Sequence, residues 1–113
     1  GIDLENFSRP LDFKIRRHVC VESELEWLES LPIKQAKRSL RIIFSAKESI
    51  FKCFYPCTKT YLSFKDAEIS VNENEKKFSF NIFKSFPGIT QQDLPLNGRY
   101  NEMDKMLLTS VYI

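Results

Sequence analysis

Hydrophobic and polar positions change their period along these 113 residues, and each period predicts an element. Residues 1–5 alternate, with Ile2 and Leu4 apolar and Asp3 and Glu5 acidic. Residues two apart share one face of a strand, so this stretch predicts a short strand with Ile2 and Leu4 toward the core and both carboxylates converging on the other side. Residues 6–21 are mixed, with Pro10 as a breaker. Residues 22–31 predict a short helix carrying Leu25, Trp27, Leu28 and Leu31, with Trp27 in the core. Pro32 suits the first turn of a second, longer helix, which runs to about Tyr55 and is stopped by Pro56. Strand-like alternation returns over 66–71 through Ala67, Ile69 and Val71 and over 77–83 through Phe78, Phe80 and Ile82. The turn-forming Asn72-Glu73-Asn74-Glu75 between them makes a hairpin. Residues 86–97 read as a Pro/Gly/Gln loop, and 107–113 as a last β-rich run. The resulting fold class is α+β, an antiparallel sheet packed against a long helix.

A helical wheel sharpens the long helix. Ile33, Ala36, Leu40, Ile43, Phe44, Ile50, Phe51 and Phe54 fall in one arc of roughly 100°, the core face. Lys37, Arg41, Glu48 and Lys52 form a stripe beside it, joined by Lys34 and Ser45. Glu48 and Lys52 are four apart and therefore neighbours. Lys47 projects from near the middle of the apolar arc. An ammonium there needs a partner, either a bound anion or a carboxylate such as Asp3, unless it snorkels along the core edge.

Composition narrows the class. A content of 42% hydrophobic residues with ten Phe supports a packed core rather than disorder. A net charge of +2 does not by itself imply nucleic acid. No apolar run approaches the ~20 residues that span a bilayer. Three cysteines form no disulfide framework and suit reduced thiols in the cytoplasm. Cys53 and Cys57 with His18 and Cys20 match no known zinc spacing. Lys14, Arg16, Arg17 and His18, together with Lys34, Lys37 and Arg41, make a basic surface that would steer an acidic partner.

The chemistry concentrates in two clusters, Gly1-Ile2-Asp3-Leu4-Glu5 and Phe44-Ser45-Ala46-Lys47-Glu48-Ser49-Ile50-Phe51-Lys52. Carboxylates at Asp3, Glu5 and Glu48 beside lysines suit a Mg2+ ion that holds a phosphate-bearing substrate. In this order and separation the two clusters resemble the signature motifs of the 4'-phosphopantetheinyl transferases. Tyr55-Pro56, Phe64-Lys65-Asp66-Ala67 and Leu108-Thr109-Ser110-Val111 resemble the branch that includes the enterobactin-synthesis transferases. Cys53 stands where that family usually has Ala or Gly, and Phe44 where Trp is commoner.

The resemblance implies half of a pseudo-dimeric fold, with 1–113 as the C-terminal domain of a longer chain whose N-terminal half, or a self-associated copy, completes the site. It implies transfer of the phosphopantetheine arm from coenzyme A to a serine of an apo acyl or peptidyl carrier protein, with 3',5'-ADP leaving. Asp3, Glu5 and Glu48 would hold Mg2+. Lys52 would pair with the phosphates, Lys47 would support the same anionic site, and Glu48 would act as general base, directly or through a water. The alternative is a non-catalytic domain that keeps the fold and docks on a carrier protein.

Overall fold

A computed structural model describes residues 1–84 and 97–112. The chain runs β1 (Ile2–Asn6), a 3-10 turn (Phe13–Ile15), α1 (Arg16–Val19), α2 (Glu22–Glu29), α3 (Ile33–Thr58), a second 3-10 turn (Phe64–Asp66), β2 (Ala67–Asn72), β3 (Lys77–Ile82), β4 (Asn97–Met103) and β5 (Met106–Tyr112). The strands form one antiparallel sheet in the order β1-β5-β4-β3-β2. One face of that sheet packs on α3, so the α+β architecture expected from the alternation is the one observed. The β2–β3 hairpin is likewise present, with Lys76 taking a left-handed conformation in its turn (φ 56°).

The core lies between α3 and the sheet. Ala36, Leu40, Ile43, Ala46, Ile50 and Phe54 are buried on the helix, and Ile69, Phe78, Phe80, Ile82, Tyr100, Leu107 and Val111 on the strands. Phe44 and Phe51 are half-buried against the ring of Phe64, with centroids 5.6 and 5.2 Å away. Trp27 is also only half-buried, at the margin of the core.

Several expectations are corrected. The faces of β1 are inverted: Ile2 and Leu4 are 63% and 57% exposed, whereas Asp3 is buried and Glu5 half-buried. The reason lies on α3, which presents hydroxyls and cations to β1 rather than apolar groups, so the carboxylates are the residues satisfied there. Ile33 leaves the core face, because the first helical residue extends past the packed region. The helix also continues past Pro56 to Thr58. A proline this close to the end forfeits a single helical hydrogen bond, and Lys59 (φ 56°) closes the helix by donating to the Tyr55 carbonyl at 2.7 Å. The expected loop over 86–97 lies outside the described residues except for Asn97, which opens β4. Strand β4 itself escapes alternation because its helix-facing positions are Gly98, Tyr100 and Glu102.

Candidate functional site

Register and a close backbone approach bring the acidic cluster together. Gly1 lies against α3, where a Cβ would overlap the Ser49 carbonyl and the Cys53 amide. This contact seats the start of β1 on the middle of the helix. Pairing with β5 sets Asp3 opposite Thr109 and Glu5 opposite Leu107. Asp3 therefore points at Ser45 and Lys52, and Glu5 points at Arg41, one helical turn before Ser45.

The Asp3 carboxylate is held from both sides. Ser45 Oγ donates to Oδ2 at 2.7 Å, and Lys52 Nζ donates to Oδ1 at 2.9 Å. Behind Ser45 lies a buried hydroxyl network. Ser45 Oγ and Thr109 Oγ1 lie 2.8 Å apart, Ser49 bonds Thr109, and Thr109 Oγ1 donates to the Ser45 carbonyl at 3.0 Å. Such fully partnered hydroxyls fix a carboxylate in one orientation. Arg41, itself buried, donates to Glu5 Oε1 at 3.3 Å and to the Arg9 carbonyl.

Electrostatics couples the three acids. Burial pushes the Glu48 carboxyl above its ordinary value of 4.5, the Asp3 charge pushes it further, and Lys52 partly opposes this. Glu5 is raised for the same leading reasons, burial and then Asp3, with Arg41 and Lys52 opposing. Lys52 is raised, chiefly by its hydrogen bond to Asp3. Asp3 raises both glutamates, and like charges placed near one another favour a bound cation.

The expected metal set can be tested on these contacts. Among the described residues no three His, Cys, Asp or Glu side chains stand gathered closely enough to hold a metal ion. The Asp3 oxygens are taken by Ser45 and Lys52, and Glu5 by Arg41, so resident cations neutralise the cluster. The donor chemistry nonetheless fits a hard divalent ion: three carboxylates on one strand and one facing helix, two of them, Glu5 and Glu48, raised in part by the charge of Asp3. Lys52 keeps 52% of its side chain exposed.

Lys47 departs from its expected place. Its ammonium is fully buried and bonds Glu24 Oε1 at 2.7 Å, the Val19 carbonyl at 2.7 Å and the Phe64 carbonyl at 2.8 Å. The need for an anionic partner was legible, but the partner is Glu24 rather than Asp3 or a ligand. Glu24 also accepts from Val21 N at 2.8 Å and from Ile69 N at 2.7 Å, which ties α2 to the free edge of β2. Sequence reading missed Glu24, although it sits four residues before Leu28 and seven before Leu31, on the apolar side of its helix. Of the cysteines, Cys20 is buried, its thiol pushed up to about 12 chiefly by burial, and Cys53 is free and half-buried. The side chain of Cys57 lies outside the described atoms.

Comparison with known proteins agrees with the motif reading at the level of the superfamily. The profile of the 4'-phosphopantetheinyl transferase superfamily matches residues 1–99. The chain is 31% identical over 115 aligned positions to the 4'-phosphopantetheinyl transferase Svp of Streptomyces mobaraensis. That match covers 100% of this chain and 46% of the relative, so the chain spans about half the length of the curated protein it resembles.

Proposed function

Because this chain belongs to the 4'-phosphopantetheinyl transferase superfamily, we propose that it is the C-terminal, acid-bearing half of an enzyme that moves phosphopantetheine from coenzyme A to a carrier-protein serine. The observation that supports the reading is the electrostatic influence of Asp3 on both Glu5 and Glu48, with Lys52 paired to Asp3 at one strand–helix junction. Phosphoryl-type transfer depends on positioning and charge neutralisation more than on covalent help, and this part list supplies both.

In this reading Asp3, Glu5 and Glu48 would hold Mg2+, which would neutralise the developing charge on the coenzyme A pyrophosphate. Lys52 swings from Asp3 to a phosphate oxygen as a point charge. Glu48, whose pKa is raised by burial and by Asp3, takes the proton from the serine hydroxyl, directly or through a water. The serine oxygen forms the new bond to phosphorus, the pyrophosphate bridge breaks, and 3',5'-ADP departs with the electron pair. Ser45 and the Thr109 network keep Asp3 aimed at the site throughout. Lys47 takes no part in this chemistry and holds Glu48's stretch of helix in place through Glu24.

Transfer of labelled coenzyme A to a panel of apo carrier proteins by the full-length protein tests the reading. Wild type should label a carrier, and Asp3→Ala and Glu48→Gln should each lose about a hundredfold or more in rate. Undiminished labelling by both variants would sink the mechanism.

A further inference from the structure

The acidic cluster has its own counter-ions, and they differ in how firmly they are held. Arg41 keeps only 8% of its side chain exposed and donates both to Glu5 and to the Arg9 carbonyl. Leaving Glu5 would strand a buried guanidinium, so Arg41 is fixed. Lys52 is the opposite case. Among the described residues its ammonium makes one hydrogen bond, to Asp3 Oδ1 at 2.9 Å, and half of its side chain lies in solvent. An exposed lysine gives up such a pair at little cost, because water solvates the freed ammonium. The other Asp3 oxygen, Oδ2, is held by Ser45. Asp3 Oδ1 is therefore the oxygen of the cluster whose partner can change. Asp3, Glu5 and Glu48 against Arg41 and Lys52 leave a single negative charge. A divalent ion overcompensates that charge and meets Lys52 as a like charge at Asp3.

We propose that Lys52 is a counter-ion latch that competes with a divalent ion for Asp3 Oδ1 and yields when a phosphate group draws the ammonium away. The inference rests on the transferase reading for its choice of ion and phosphate, and it adds how filling of that site is regulated. The ion and the phosphate ligand then bind as a linked pair, each raising the affinity for the other by the same factor. Lys52 weakens the site for the ion alone and strengthens it for the ion together with a phosphate. A lysine that served only as a phosphate ligand would do the second and not the first.

The test is Mn2+ binding to the full-length protein, read by electron paramagnetic resonance of the free ion, without and with coenzyme A. Wild type, Lys52→Met and Asp3→Asn are compared. Mn2+ held by coenzyme A alone is measured without protein and subtracted. Methionine replaces the apolar stem of a half-exposed side chain, and circular dichroism checks that the fold is kept. Without coenzyme A, Lys52→Met should bind Mn2+ about fivefold or more tighter than wild type. Coenzyme A should raise the wild-type affinity for Mn2+ about fivefold or more, and that of Lys52→Met by a clearly smaller factor. A Lys52→Met affinity within about twofold of wild type, or weaker, without coenzyme A overturns the latch. Equal enhancement by coenzyme A in the two proteins also overturns it. Either result, with Asp3 still required for binding, leaves the transferase reading standing. If Asp3→Asn binds Mn2+ as tightly as wild type, the acidic cluster is not the metal site and the transferase reading fails together with the latch.

Discussion

Replacing Glu24 by Gln probes the buried pair that anchors α3. The side chains of Glu24 and Lys47 are 1% and 0% exposed. Lys47 is depressed from 10.5, with burial outweighing the upward pull of Glu24, so the pair only partly offsets its own desolvation. Removing one partner then strands the other, at a cost of about 3–5 kcal/mol. Domains of this size carry roughly 5–15 kcal/mol in total. With a urea slope of about 2 kcal/mol per molar, the unfolding midpoint of Glu24→Gln should fall by roughly 2 M. The pH dependence follows from the same shift. Between the lowered folded pKa of Lys47 and 10.5 the unfolded chain binds more protons, so stability rises with pH there, and the variant extends that window downward. The double change Glu24→Leu/Lys47→Met should cost less than Glu24→Leu alone, since no charge is left unpaired. Urea unfolding followed by circular dichroism measures all of these proteins. A Glu24→Gln midpoint within about 0.3 M of wild type, or single costs that simply add, would refute the reasoning.

Asp3→Asn removes the largest charge acting on both glutamates, so carbon-13 carboxyl titration should show Glu5 and Glu48 moving down toward 4.5. Between 4.5 and their raised values the folded state binds more protons, so wild-type stability falls as pH rises through that window, and the variant should show a shallower fall. Lys52→Met should lower the urea midpoint by no more than about 0.5 M, because Lys52 is half-exposed and the buried Asp3 keeps its hydrogen bond from Ser45. The same variant should lose phosphopantetheine transfer, which separates a role toward ligand from a role in stability.

Period and spacing made much of this molecule legible. The helix α3, the β2–β3 hairpin and strand β5 follow from their apolar rhythm, and the acids and Lys52 follow from two short motifs. What period cannot supply is which face of a strand meets the core. In β1 either face of the alternation was open to burial, and the answer was set by Ser45, Ser49 and Arg41 on a helix some forty residues away. Lys47 illustrates the same limit. Its place on the apolar arc announced a partner, but finding that partner required α2 to be docked so that Glu24 reached it. Strand β4 stayed hidden because its pairing with β5, more than its own side chains, makes it a strand. The basic surface was half legible: Lys34, Lys37 and Arg41 share a stripe, but Arg9 and Arg38 join them only in three dimensions.

The central claim is that Asp3, Glu5 and Glu48 form one divalent-cation site beside Lys52. Paramagnetic broadening by Mn2+ tests it most directly, with the carboxyl and Lys52 Nζ resonances of the full-length protein observed in the presence of coenzyme A. Broadening centred on Asp3, Glu5 and Glu48, abolished by Glu48→Gln and displaced by Mg2+, is the predicted result. Broadening centred elsewhere, or unaltered by Glu48→Gln, would contradict the account.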